Sequence, residues 1–195
     1  MPAKPLKDVP EIKKQYFIAL VPNSGIMNSV HALKTEIRDR FGAAHALKSP
    51  AHITLQMPFH KLESEEPRLI TCLREFASRE MPFHVTLDGF DCFPPRVLFV
   101  KIRDHLPLQE LQARLKAHLI SELGFPSPSK KRVFHPHMTI ATRDLKEADF
   151  EQAWSEFNSR NFQDSFNVSS LFLLKHNGKF WDIYREFPFQ GILSE

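Results

Sequence analysis

Apolar positions along the chain alternate between two spacings, one typical of buried strands and one typical of amphipathic helices. The first run, residues 16–21, is continuously apolar and stops at Pro22, which predicts a buried strand. Asn23 or Ser24 can then cap a helix that continues to Gly42. Its apolar positions keep helical spacing and are Ile26, Val30, Leu33, Ile37 and Phe41.

The next segment, residues 51–59, alternates with a period of two and predicts a strand. Ile53 and Leu55 share one face of it, and His52 and Thr54 share the other. A helix is predicted over about 64–79, with Ser64 as its cap and a buried stripe formed by Leu69, Cys72, Leu73 and Phe76. Residues 82–93 and 96–103 then predict an antiparallel strand pair.

The second half repeats this order. Leucines at 108, 111, 115 and 119 mark a helix ending at Gly124, and a loop over 125–132 leads into a strand at 133–142. A helix over 145–158 precedes strands at 166–176 and 179–187, joined by the hairpin dipeptide Asn177-Gly178. We therefore predict an α+β fold with mainly antiparallel sheets, in which a strand, helix, His-bearing strand, helix unit occurs twice.

Residues 1–15 carry three prolines and four lysines without apolar periodicity, so we expect a mobile lead-in before a single domain at 16–195. The 195 residues are 42% apolar and 25% charged, which is a globular composition. The net charge of +3 permits a phosphate-bearing partner but is low for a duplex-binding protein.

Cys72 and Cys92 are too few and too far apart for a disulfide scaffold, so we expect two reduced thiols. No apolar run is long enough for a signal peptide or a membrane span. A cytoplasmic monomer with no membrane association is the expectation.

Two short motifs carry the candidate chemistry: His52-Ile53-Thr54-Leu55 and His137-Met138-Thr139-Ile140. Each lies in a predicted strand, so the histidine and the threonine of one motif share a face. Imidazole titrates near neutrality, and two such groups can act as general base and general acid on opposite sides of a phosphorus atom. The threonine hydroxyls can donate to its non-bridging oxygens.

With these motifs the sequence resembles the 2H phosphoesterase superfamily, and within it the bacterial and archaeal 2′-5′ RNA ligase or cyclic phosphodiesterase family. The resemblance covers about residues 16–189. Residues 83–98 resemble the middle strand pair of that family, residues 136–141 its second signature, and the hairpin containing Leu173 and Tyr184 also fits.

The resemblance implies a bilobal fold in which two sheets form a central cleft, with pseudo-twofold symmetry and one His-x-Thr motif from each half. It implies His52 and His137 as catalytic residues and Thr54 and Thr139 as phosphate-binding residues, without a metal or another cofactor. The implied partner is an RNA end or a small nucleotide with a 2′,3′-cyclic phosphate or a 2′-5′ linkage.

Several other residues are candidates for substrate binding. Lys130 and Arg132 belong to a basic run before the second motif and can meet RNA phosphates or form a solvated loop. His135 can line a groove, and Arg143 can orient a substrate or pair with Asp144 or Glu147. Phe59 and Tyr184, like Phe134, can stack on a base or belong to the core.

Alternatives remain at this point. His84-Val85-Thr86-Leu87 is a third His-x-Thr sequence, interpreted as a coincidental match in the middle strand pair. The motif histidines could simply bond to neighbouring backbone, or His52, His135 and His137 could bind zinc or copper. A noncatalytic RNA-end or nucleotide-binding module with the same cleft is the alternative function.

Overall fold

The computed structural model describes residues 11–127 and 133–191, and within these ranges the chain forms eight strands and four α-helices. The strands are β1 (Lys13–Leu20), β2 (Ile53–Leu62), β3 (Phe83–Phe93), β4 (Val97–Ile102), β5 (His137–Ala141), β6 (Gln163–Val168), β7 (Ser170–His176) and β8 (Trp181–Pro188). The helices are α1 (Ser24–Phe41), α2 (Glu66–Ser78), α3 (Leu106–Leu123) and α4 (Glu147–Asn158). Short 3₁₀ turns at His45–Lys48 and Glu63–Glu65 precede β2 and α2 respectively.

The helix ends follow the predicted capping chemistry at α1 and α3 but not at α2. The Asn23 side chain accepts a hydrogen bond from the Ile26 N–H at the start of α1. Gly42 and Gly124 adopt the left-handed conformation that ends α1 and α3. The prediction that Ser64 caps α2 is wrong, because a 3₁₀ turn comes first and the Glu65 carboxylate accepts from the Leu62 N–H.

Two antiparallel four-stranded sheets build the fold, which is α+β as predicted. Sheet A has the order β2-β1-β7-β8, and sheet B has the order β5-β4-β3-β6. The strand that carries each His-x-Thr motif is therefore an edge strand, paired with the strand that opens its own repeat. This correspondence between β2-β1 and β5-β4 matches the repeated order of elements in the sequence and the pseudo-twofold symmetry that the family resemblance implied.

The helices pack on the sheets, and α1 and α3 each pack on the sheet of the other half of the chain. Helix α1 follows β1 in sequence but packs on β5 of sheet B, whereas α3 follows β4 and packs on β2 of sheet A. Helix α2 covers β7 and β8, and α4 covers β3. One hydrophobic cluster contains buried residues of both sheets and of all four helices.

The structure corrects some predicted boundaries. Strand β1 begins at Lys13, inside the expected lead-in, and residues 1–10 lie outside the described residues. The predicted strand at 166–176 is two strands, β6 in sheet B and β7 in sheet A, with Ser169 between them. An apolar run that continues across a change of sheet looks like one strand in sequence, because Phe166 and Val168 of β6 are buried like the apolar residues of β7.

Other features match the expectations. Cys72 and Cys92 are both free thiols. Asn177 closes the β7-β8 hairpin with its side chain, which accepts hydrogen bonds from the Lys179 and Phe180 N–H groups. None of the helices in the described ranges combines the length and the hydropathy that crossing a bilayer requires.

Candidate active site

The first motif lies where the chain enters sheet A. His52 immediately precedes β2, and Thr54 follows on the face opposite to the buried Ile53 and Leu55. The Nδ1 atom of His52 is 2.8 Å from the carbonyl oxygen of Pro50. Because a carbonyl only accepts hydrogen bonds, Nδ1 is the protonated nitrogen, and Nε2 is left for proton exchange with a ligand.

The second motif repeats this arrangement in sheet B. His137 opens β5, Thr139 follows on its face, and Met138 and Ile140 are fully buried on the other side. The Nδ1 atom of His137 is 2.8 Å from the carbonyl oxygen of His135. Both histidines thus use the same nitrogen and the carbonyl two residues earlier, and both keep Nε2 available.

Contact between the two edge strands brings the motifs together. Strand β2 touches β5, although the two belong to different sheets. The positive charge of a protonated His137 is near enough to contribute to lowering the pKa of His52. The structure therefore gathers His52, Thr54, His137 and Thr139 at the junction of the two sheets.

The pKa values of both histidines are below the ordinary value of 6.5. Burial lowers the pKa of His52 to about 4, against the opposing effect of its bond to Pro50, and the charges of Lys34 and His137 add to the decrease. Burial is also the main cause that lowers the pKa of His137, with a further contribution from the charge of His135. Both rings are neutral at pH 7 in the free protein.

Thr54 and Thr139 occupy matching places in the two sheets. Thr54 pairs with Ala19 of β1, and Thr139 pairs with Phe99 of β4. Both threonines are partly buried. Each threonine is two residues after the histidine of its motif and shares its strand face. The two hydroxyl groups can therefore donate hydrogen bonds to an anionic oxygen that lies between the motifs.

A row of rings runs across the cleft face of sheet A from His52. Phe17 lies 4.8 Å from the His52 ring, Trp181 lies 4.7 Å from Phe17, and His176 lies 4.9 Å from Trp181, all between ring centroids. Phe17 also forms a small apolar cluster with Ala19, Leu174 and Phe172. Sequence reasoning missed this row, although the alternation of Phe17 with the core positions of β1 is a signal for it.

A second group of rings surrounds His137 in sheet B. Phe93 and Phe99 lie 5.1 and 5.0 Å from the His137 ring between centroids. His135 is exposed and contacts Phe93 at 5.2 Å and His105 at 4.7 Å. The structure thus places His135 beside His137. The His135 carbonyl binds the His137 ring, and the His135 ring lies at the exposed edge of this group of rings.

Phe59 and Tyr184 lie away from the motif histidines. Phe59 packs against Phe125 and Tyr16, on the core side of sheet A. The Tyr184 hydroxyl donates to Glu66 at the start of α2, and Lys175 also binds that carboxylate. Phe59 and Tyr184 were predicted either to stack on a base or to belong to the core. In the structure both rings pack against the core.

The remaining predicted residues are Lys130, Arg132, Arg143 and the histidine of the third His-x-Thr sequence, His84. Lys130 and Arg132 lie outside the described residues. Arg143 is exposed beside His45, whose pKa its charge helps to lower after the larger effect of burial. His84 is exposed at the far end of β3, with Val85 and Leu87 on the core face, as expected for a coincidental motif.

Lys34 is a site neighbour that sequence reasoning missed. The prediction put Leu33 in the buried stripe of α1, but Lys34 is the buried residue there, with 2% of its surface exposed. Its ammonium group donates to the carbonyls of Ser49 and Pro50 at 3.0 and 3.3 Å. The signal available in the sequence is a lysine four residues after Val30, within the apolar spacing.

The metal alternative finds no support in the side-chain arrangement. Among residues 11–127 and 133–191, no group of three or more His, Cys, Asp or Glu side chains is placed to hold a metal ion. His52, His135 and His137 therefore do not form the three-ligand cluster that this hypothesis required.

The fold is α+β, and its two edge strands with His-x-Thr motifs meet at a cleft. Comparison with known protein families identifies the class of protein that has these features. The sequence model of the 2′-5′ RNA ligase superfamily matches residues 26–180. The chain therefore belongs to the 2′-5′ RNA ligase superfamily, whose members are 2H phosphoesterases.

Curated relatives agree with this assignment. The RNA 2′,3′-cyclic phosphodiesterase of Bacillus subtilis is 32% identical over 148 residues, which cover 73% of this chain and 78% of the relative. A protein of Halalkalibacterium halodurans, provisionally named a phosphoesterase, is 29% identical over 88% of this chain and 95% of its own length. Together they support phosphoesterase activity of the cyclic phosphodiesterase type.

Solved structures show the same fold. The TT0787 protein of Thermus thermophilus superposes with a TM-score of 0.65 at 23% identity, covering 91% of this chain and 98% of that one. LigT of Escherichia coli, solved with NADP⁺, superposes with a TM-score of 0.62 at 19% identity, covering 92% and 99%. The two-sheet arrangement is thus shared at low sequence identity.

Proposed function

We propose that this protein is a metal-independent phosphoesterase that opens 2′,3′-cyclic phosphates, or cleaves 2′-5′ phosphodiesters, on RNA ends or nucleotides. The observation that carries the proposal is the matched tethering of His52 and His137, each held by Nδ1 to the carbonyl two residues earlier. Because both rings are fixed in the same way at one junction, their two Nε2 atoms can exchange protons with a single ligand.

The chemistry proceeds as an in-line displacement at phosphorus. One histidine, neutral at Nε2, takes a proton from water as the water oxygen bonds to phosphorus. The bond from phosphorus to the 3′ oxygen breaks, and the other histidine, protonated, delivers its Nε2 proton to that oxygen. The product is a 2′-phosphate with a free 3′ hydroxyl, and the reverse sequence of the same steps forms the bond.

Thr54 and Thr139 bind the non-bridging oxygens in this proposal. The negative charge on these oxygens increases as the fifth bond to phosphorus forms, so donors fixed beside each histidine stabilise the transition state more than the ground state. Bound phosphate also favours the protonated form of one histidine, which compensates for the low pKa values of the free protein.

The rings of sheet A support a nucleoside as the group attached to the phosphate. Trp181 is the partly exposed ring of this row, and the buried Phe17 connects it to the His52 ring. Aromatic faces bind bases without requiring one sequence. Structures of LigT with NADP⁺ and with 3′-AMP show that this fold accommodates nucleotides elsewhere in the superfamily.

The test is an assay of EDTA-treated protein with a nucleoside 2′,3′-cyclic phosphate and with a 2′-5′-linked dinucleotide, resolving 2′- from 3′-phosphate products. We expect 2′-phosphate from the unmodified protein and a loss of at least ~10²-fold in rate for H52A and for H137A. H84A is the matched control, since it removes a histidine of the third His-x-Thr sequence, and its rate should equal that of the unmodified protein.

Two results would contradict the proposal. A rate loss below this size in either H52A or H137A removes that histidine from the role of acid or base. Absence of turnover together with tight nucleotide binding, detected by isothermal titration calorimetry, supports the noncatalytic binding module instead.

A further inference from the structure

Lys34 is a buried cation without a carboxylate partner among the described residues. Its ammonium group is bonded to two backbone carbonyls, those of Ser49 and Pro50. Burial lowers the pKa of Lys34 to about 8, so the group is mostly charged at pH 7 in spite of the cost of removing it from water. An apolar side chain in this stripe of α1 would avoid that cost, which suggests that the cation has another role.

The carbonyl that Lys34 binds is the one that holds His52. The Pro50 oxygen lies 2.8 Å from His52 Nδ1 and 3.3 Å from Lys34 Nζ. The ammonium group, this carbonyl and the imidazole therefore form a continuous chain from α1 to the first motif. Because α1 packs on β5, the same helix also rests on the strand of the second motif.

We propose that Lys34 is a positioning residue for His52: it anchors the Pro50 carbonyl and thereby fixes the place of the His52 Nε2 atom relative to the second motif. This inference rests on the proposed function for its effect on turnover. Lys34 touches the backbone and not the reacting atoms, so it acts only through His52.

The same contact makes the two motif histidines unequal. The charged groups that act on His52 are Lys34 from α1 and His137 from β5, while Phe17 from β1 presents an apolar ring. For His137 the corresponding charge is that of His135. Lys34 therefore adds to the decrease in the pKa of His52 that burial causes, whereas at His137 the added effect comes from the charge of another imidazole.

The experiment compares K34M, K34Q and the unmodified protein, with K48M as the matched control. Met removes both the charge and the hydrogen bonds, whereas Gln removes the charge and keeps a donor. Lys48 is an exposed lysine of the 3₁₀ turn that precedes His52, so K48M makes the same chemical change outside the stripe. The titration of the His52 ring is followed by NMR in all four proteins, and steady-state kinetics are measured with a nucleoside 2′,3′-cyclic phosphate.

We expect the His52 titration to move upward in K34M and K34Q, since a nearby positive charge is lost. For K34M, kcat should fall by about tenfold or more while KM changes by less than about twofold, as for a misplaced catalytic group. K34Q should retain more activity than K34M, and K48M should match the unmodified protein in both measurements. A role of Lys34 in packing alone would leave K34M, whose side chain is similar in length and shape, with the kcat of the unmodified protein.

The outcomes separate this inference from the proposed function. If the unmodified protein turns over no cyclic phosphate, the proposed function fails and the His52 titration alone decides the role of Lys34. If K34M matches K48M in both the titration and kcat, the inference is overturned. If neither Lys34 variant folds, the unmodified protein decides: when the pH is raised through the Lys34 pKa of about 8, loss of the ammonium charge should change the NMR chemical shifts of the His52 ring, and unchanged shifts would overturn the inference.

Discussion

A histidine beside a strand needs a partner that fixes its ring, and in this protein a backbone carbonyl does so in both motifs. Pro50 and His135 supply the carbonyls, each two residues before the histidine it holds. The cause is local, because each carbonyl belongs to the short segment that leads directly into the strand of its motif. Burial then lowers the pKa of both rings, and Lys34 adds to this effect at His52.

These shifts predict the pH dependence of kcat/KM. The reaction needs one histidine protonated and the other neutral, so the rate falls above the higher of the two pKa values and below the lower one. The pKa of His52 is about 4 and that of His137 is below 6.5, which places the optimum of kcat/KM on the acid side of pH 6.5. A profile from pH 3.5 to 9 with the cyclic phosphate measures it, and an optimum above pH 7 would contradict the assignment of these two groups.

At the scale of elements, the segment between α1 and β2 is held at both ends by charged side chains. Asp144, just after β5, accepts hydrogen bonds from the Ala44 and His45 N–H groups at 2.9 and 2.7 Å. Lys34 binds the other end of the segment at Ser49 and Pro50. The loop after the second motif thus supports the segment that leads into the first, which links the two halves of the site.

Replacing Asp144 by Ala should loosen this segment. Two backbone donors lose their acceptor, so we expect the free energy of unfolding to fall by about 1 kcal/mol, as for loss of a helix cap. We also expect kcat to decrease, because the freed segment ends at the carbonyl that holds His52. Urea unfolding and cyclic phosphate kinetics measure the two effects.

Asp39 provides the control for that substitution. It is an exposed residue of α1 whose ion pair is with the adjacent Arg38. D39A should change neither the unfolding free energy nor kcat beyond experimental error. Equal behaviour of D144A and D39A would show that the contact between the two halves does not support the site.

At the scale of the whole molecule, an ion-pair network joins the first half of the chain to the second. Glu36 of α1 accepts two hydrogen bonds from Arg160, which follows α4, and a third from Arg40. The bond with Arg160 is the main cause that lowers the pKa of Glu36 to about 2. A carboxylate with a depressed pKa stabilises the folded state at neutral pH.

This stabilisation has a defined pH window. Glu36 protonates near 4.5 in the unfolded chain and near 2 in the folded protein, so its contribution is complete above about pH 4.5 and is lost as the pH falls toward 2. For E36Q we expect a loss of roughly 1 kcal/mol at pH 7, limited by the partial exposure of the pair. Urea unfolding at pH 7 and at low pH measures it, with the exposed Glu151→Gln on α4 as control; a difference that persists undiminished toward pH 2 would rule out this linkage.

Sequence and structure agree where the determining interactions are local. The Asn23 cap, the Gly42 and Gly124 termini and the two-residue period of each motif were all predictable, because each depends on residues a few positions apart. The division between β6 and β7 was not, since it depends on which sheet each part joins. Lys34 and Phe17 were missed for the same reason: their partners, Pro50 and Trp181, are distant in sequence.

The strand order of sheet A has a consequence for the synthesis of the protein. Strand β1 is an inner strand between β2 and β7, and β7 begins 150 residues after β1 ends. At ordinary ribosomal speeds, one edge of β1 therefore stays unpaired for roughly ten seconds or more while the rest of the chain emerges. The nascent chain carries an open, apolar strand edge throughout that interval, and slowing translation of the last third should increase its demand for chaperones.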